Sequence, residues 1–372
     1  MTCKIDDGGS LSSYNVTIID DVSIYNINLS WINTLKALCM FLVFINHSEV
    51  YTGINSEVFD NIYRPVFVNA FFFLNGYLLF RKQWSEGLIS LVRDKWLRCI
   101  GGGYYALNNL VFRLIIPTLL FSALFYLPKK LLRGEVLTVS DFLTDTIGGG
   151  SIWFTPALAV AQLILLAFLF TRIKKPYIYL ALCLGLWLIS ETLRGTGFQV
   201  LDSYTLPWYY KSGMEACMFM VLGGYYWKYE DTIMRYMRKW YVVLLLLIVY
   251  LALCAFFASN IRTALDWQGL NAMGLLVALL GSIILVTFIK SLPSLNATEF
   301  IGRNSIGFYF FCGSIVNVFA VVGKRVSDTE SFGFVLFVAI VSFIVAYGLV
   351  WLINRYLPFV YDLRKLYSNK KR

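Results

Sequence analysis

The chain has 372 residues, of which 58% are apolar and 15% charged, with a net charge of +10 and a mean hydropathy of +0.66. An average soluble domain is about 45–50% apolar and about 25% charged, so soluble globular, coiled-coil, collagen-like and disordered chains are excluded. The basic residues fall between apolar runs rather than in one patch, which sets nucleic-acid binding aside.

Residues 1–28 are polar and rich in Asn, Asp and Ser, with Lys4 as their one basic residue and no apolar stretch of the signal-peptide kind. They read as a polar N-terminal arm. From 29 onward, apolar runs recur at close to the roughly 20 residues a helix needs to cross a bilayer. Ten candidate spans follow, at 29–48, 63–80, 104–128, 152–171, 176–191, 206–227, 240–258, 269–289, 305–323 and 332–354. The expected fold is all-α, a polytopic transmembrane helical bundle occupying 29–355.

Between the second and third spans, residues 82–100 combine Lys82, Arg93, Lys95 and Arg98 with Trp84, Leu88, Leu91 and Trp96. This composition predicts an amphipathic interfacial helix. Gly101–Gly103 and Gly148–Gly150 read as turns, since neither follows a strand as a phosphate loop would. Residues 356–372 form a basic tail. With the N-terminus placed in the cytoplasm, 21 basic residues fall on the cytoplasmic side and nine on the other. That bias predicts that both termini are cytoplasmic, in a multi-pass protein of the cytoplasmic (plasma or inner) membrane. Lys36 and Arg113 remain, and both lie inside spans.

Seven cysteines are dispersed without a C-x-x-C pair, which argues for packing residues rather than a disulfide framework. The single histidine, His47, excludes a metal site built on imidazoles within one chain, and no metal is expected. Ionisable side chains inside a span are costly and default to functional candidates. Lys36 and His47 are eleven residues apart, close to three helical turns, so they share a face about 16 Å apart along the axis. Histidine is the side chain best suited to general base chemistry near neutral pH.

The stretch W-I-N-T-L-K-A-L-C-M-F-L-V-F-I-N-H at 31–47 resembles the first helix of the acyltransferase 3 family, polytopic membrane O-acyltransferases. That family carries an acidic residue, a basic residue three positions later and a histidine eleven beyond. Lys36 and His47 keep the last two positions, and Asn33 stands at the acidic one. F-F-F-L-N-G-Y-L-L-F at 71–80 is similar to the family's F-F-x-x-S-G-Y/F, with Asn75 in place of Ser. F-R-L-I-I-P at 112–117 resembles the start of its third helix, with Arg113 as the family arginine and Val111 and Phe112 where further basic residues are common. S-I-W-F-T-P-A-L at 151–158 and I-G-R-N-S-I-G-F-Y-F-F-C at 301–312 resemble two later motifs. Cys312 takes the place of a second histidine. The resemblance runs over about 29–355, towards the branch of polysaccharide O-acetyl- and O-succinyltransferases.

That resemblance implies an acyl-CoA donor, acetyl-CoA or succinyl-CoA, on the cytoplasmic side, and a hydroxyl of a cell-surface or lipid-linked glycan as acceptor. No permanently bound cofactor is implied; the partners are the bilayer, the two substrates and polysaccharide-biosynthesis proteins. Arg113 and Lys36 would contact the donor's phosphates, the guanidinium fork matching them best. His47 would be the general base. Candidates to orient it are Glu49, although at two residues' distance it would point elsewhere on an intact helix, Glu215 in the sixth span, and Glu191 and Asp202 at outer span ends. Asn33, Asn304 and Ser305 are candidates for substrate hydrogen bonds, although Asn and Ser also suit a helix N-cap. Trp153 is a candidate to stack on a sugar or adenine, or an interfacial anchor. The alternatives are a transporter or exporter of lipid-linked sugar or polysaccharide, and an assembly subunit. Both would tolerate loss of His47.

Overall fold

The computed structural model describes residues 30–85, 107–134, 136–149, 152–170, 176–195, 207–256, 272–292, 296–326 and 331–363. All regular structure among them is helical. The helices are α1 (Ser30–Thr52), α2 (Glu57–Ser85), α3 (Ile116–Arg133), α4 (Val139–Thr146), α5 (Phe154–Phe170), α6 (Pro176–Gly195) and α7 (Tyr210–Lys228). They continue as α8 (Glu230–Met237), α9 (Trp240–Phe256), α10 (Ala272–Ser291), α11 (Asn296–Arg303), α12 (Ser305–Val326) and α13 (Phe332–Tyr356). The polar arm at 1–28, most of the amphipathic segment (86–106) and the end of the basic tail (364–372) lie outside the described residues.

By length and composition, Leu107–Pro128, Gly274–Ser291, Ser305–Arg325 and Phe332–Tyr356 are long and apolar enough to cross a membrane. Glu230–Met237 and Trp240–Phe256, bent by 93° at their junction, make a fifth if counted as one span. Helices at α5 and α6 are apolar but shorter. Against ten apolar runs in the sequence, four or five helices among the described residues meet the length and hydropathy of a span. The helices α1 and α2, at 23 and 29 residues, are long enough. They carry polar groups that face other helices instead of lipid, among them the buried Glu49, Asp60 and Arg81.

Helix α1 lies inside the bundle: Leu35, Cys39, Phe44, Ile45 and Ser48 are all buried, and it packs against α2, α10, α11, α12 and α13. Two hydrophobic cores result. One gathers α1, α2, α10, α12 and α13. The other gathers α5, α6, α7 and the residues leading into α3. α2 belongs to both, giving Phe67, Phe71 and Phe73 to the first and Phe72 and Phe80 to the second.

What brings the halves together is the crossing of α2 and α7. A Cβ on Gly76 would lie 1.8 Å from the carbonyl oxygen of Met220, and one on Gly223 would lie 2.0 Å from that of Phe73. Only glycine lets two backbones approach this closely, as small residues do at membrane helix interfaces. The G-Y pair read in the second-span motif is therefore a packing requirement. The α8 end is fixed by Tyr77, which donates to Glu230 at 2.7 Å, and by the ion pair of Glu230 with Lys290. The five described cysteines are buried free thiols.

Candidate active site

Where the two cores meet, a cavity of about 390 Å³ opens. This is within the size range of small-molecule pockets. Helix α1 supplies Lys36, Met40, Val43 and His47, the i, i+4, i+7, i+11 stripe of one face, together with Asn46. Phe67, Val68, Phe71 and Asn75 come from α2, and Thr155, Leu158 and Gln162 from α5. The segment from Arg303 to Gly307, with Tyr309, closes one wall, and Asn354, Tyr361 and Asp362 close another. Lys36 and His47 therefore share this cavity, which follows α1 for about three turns.

Arg113 reaches the cavity from a π-helical turn at Val111–Ile115, just before α3. Such a turn inserts an extra residue into the helical ladder and often marks a functional position. Its Nε lies 3.6 Å from the Asp362 carboxylate, and its side chain is 62% exposed. Lys36 has no ion pair or hydrogen bond among the described residues, and Arg303 pairs with Glu299. Three cationic side chains and one carboxylate thus line the cavity, a balance that suits a polyanionic ligand.

Amides tie the walls to one another. Gln162 donates to the Asn75 carbonyl at 3.4 Å, and Asn75 donates to Phe71 O at 2.9 Å. Asn354 donates to the Asn304 side chain at 2.9 Å, while Asn304 donates to Phe300 O at 2.8 Å. Asn304 is thus held between α11 and α13, and its side-chain bonds go there instead of to the first turn of α12. Ser305 lines the cavity beside it. The Phe154 backbone N–H, an orphan of the first turn of α5, donates to Tyr309 Oη at 3.0 Å. That bond sets Trp153 and Phe154 on the cavity wall.

The chain does not leave the bundle after α13. Pro358–Val360 form a 3₁₀ turn. Tyr361 then stacks on Phe121 at 5.7 Å, and burial holds its phenol pKa above the ordinary value.

Four of the residues expected at the site are placed elsewhere. Asn33 sits at the α1–α11 crossing, where a Cβ on Gly302 would come within 2.3 Å of its Cα and carbonyl oxygen. Glu215 is buried between α6 and α7 and accepts from Ser190 at 3.1 Å. Glu49 accepts from Tyr63 and lies 3.3 Å from Arg64, which also reaches Asp60 at 3.0 Å. On the helix, Glu49 is turned away from His47, so neither it nor Glu215 orients the imidazole. Glu191 lies on α6 away from the cavity, and Asp202 is outside the described residues. His47 stacks with Tyr51 at 6.1 Å and 18° and has no hydrogen-bond partner among the described residues. Cys312 is off the cavity wall, its thiol donating to Tyr309 O at 3.0 Å.

Sequence reasoning missed Asn46, Asn109, Gln162, Asn354, Tyr361 and Asp362. A usable signal existed for Asn46, Gln162 and Asn354, which are amides in otherwise apolar runs. Asp362 gave none, being one acid in a basic tail.

Compared with known protein families, residues 29–351 match the model described as an acyltransferase domain. No curated protein and no solved structure matches the chain.

Proposed function

Because the chain belongs to the acyltransferase 3 family and is a multi-pass membrane acyltransferase, we propose the following reaction for it. It moves an acetyl or succinyl group from acyl-CoA to a hydroxyl of a cell-surface or lipid-linked glycan, in the cytoplasmic membrane. The observation that carries this reading is the shared cavity, lined by the one imidazole of the chain, by Lys36 on the same helix face and by Arg113.

His47 would take the proton of the acceptor hydroxyl as its oxygen attacks the thioester carbonyl. The C–S bond breaks, the new ester C–O bond stays, and the thiolate of CoA leaves with the proton that His47 returns. Arg113 and Lys36 would hold donor phosphates, and Trp153 would stack on a substrate ring. Cells making this chain should carry base-labile ester on their surface glycan, absent from cells without it, and the mass of the ester identifies the acyl group. Unchanged ester with a fall in exported glycan would favour an exporter instead.

Asp362 pairs with the Arg113 guanidinium and so competes with the donor's phosphates for it. Arg113→Ala should therefore raise the KM for acyl-CoA by about 10- to 100-fold, the loss of a charge-assisted contact. Asp362→Asn should lower that KM. Initial rates against donor concentration decide both.

A further inference from the structure

Asn46 precedes His47 on α1 and lines the same cavity. Its side chain is held from behind. Asn46 Nδ2 donates to Tyr63 Oη at 3.3 Å, and Tyr63 Oη donates to the Glu49 carboxylate. Glu49 and Tyr63 are buried, with relative exposures of 0% and 5%, and Arg64 lies 3.3 Å from the same Glu49 oxygen. The two bonds run in one direction: Tyr63 has a single proton and gives it to Glu49 Oε2, so its oxygen accepts from the amide N–H. The amide of Asn46 is therefore locked with its N–H toward Tyr63, and its carbonyl oxygen makes no hydrogen bond to the described residues. An acceptor oxygen is presented to the cavity one residue from the imidazole.

We propose that the Asn46 carbonyl accepts a hydrogen bond from the acceptor hydroxyl next to the one that is acylated, so that it selects the ring position, and that Tyr63 and Glu49 are positioning residues for it. This rests on the acyl-transfer reading above. A vicinal diol offers one hydroxyl to His47 and its neighbour to Asn46. An acceptor without the neighbouring hydroxyl leaves a polar wall group unpaired, a strong basis for discrimination.

The test uses the full-length protein in membranes, with acetyl-CoA as donor and glycan purified from cells lacking the chain as acceptor. Wild type, Asn46→Ala and Tyr63→Phe are compared at matched protein level. Asn46→Ala should raise the acceptor KM about fivefold, as expected for one neutral hydrogen bond, and spread the ester over more than one ring position. Tyr63→Phe keeps the shape and removes the lock, so it should shift both readouts the same way to a smaller extent. The KM for acetyl-CoA should stay within about twofold in both variants. A general loss of folded protein lowers turnover but moves neither the acceptor KM nor the ester position. If those two readouts are unmoved in both variants, the proposal is overturned. Wild type that transfers no acyl group at all sinks the acyl-transfer reading itself, and this assignment with it.

Discussion

Replacing His47 by alanine should cut acyl transfer by about 10²- to 10⁴-fold, the range general base catalysis contributes, at unchanged protein level in the membrane. The structure says why the fold should survive. His47 is only half-buried, faces the cavity, and has no hydrogen-bond partner among the described residues. Alanine leaves no sealed void, only a larger version of a space already open, so the cavity cost of core truncations does not arise. His47→Gln separates the chemistry further. Glutamine keeps hydrogen bonding and most of the volume but has no basic nitrogen, so it should be as inactive as alanine. Initial rates with acetyl-CoA and purified glycan decide the matter. A rate within about tenfold of wild type for either variant would remove His47 from the reaction and leave the exporter and assembly readings standing.

The largest effect on stability is expected at the α2–α7 crossing. Gly223→Val places a side chain where even a Cβ lies 2.0 Å from Phe73 O, 2.8 Å from Tyr77 N and 2.9 Å from Phe73 C. All three are backbone atoms of a helix and cannot rotate away. The helices must separate, and because α2 serves both hydrophobic cores, each core loses contacts. Overpacking of close-packed interiors costs about 1–3 kcal/mol where side chains can give way. Against backbone on both sides the cost should be about 3 kcal/mol or more. Gly348→Ala is the control, since a Cβ there meets nothing within 4 Å; helix propensity alone makes it neutral or slightly stabilising. Thermal unfolding in detergent should show a clear drop in midpoint for the first and none for the second. Equal midpoints would mean that the close crossing does not bear the assembly.

The stripe from Lys36 to His47 was legible because it lies on one helix, where spacing alone fixes the face. The helical class was legible from the length and composition of the apolar runs. The contributions of Asn304, Asn354 and Asp362 were not, since each depends on which distant helix end comes alongside. Glu49 shows the limit of proximity in sequence. Two positions from His47, it is turned to α2 and bound to Tyr63 and Arg64. Asn33 shows a different limit: its motif position suggests chemistry, but its backbone is the surface on which Gly302 rests.

The cavity draws one wall from position 36 and another from position 362, so its closure depends on contacts spanning nearly the whole chain. Pairings at such separation are slow to form, and proteins open locally, segment by segment, at less cost than unfolding their core helices. The helices can therefore stay intact while Tyr361 and Asp362 come away from the cavity wall. On mild heating or in a harsh detergent, catalytic activity should disappear well before helix content does. A bundle that looks fully folded by circular dichroism would already have lost its binding space, so turnover is the more sensitive gauge of whether a purified sample is native.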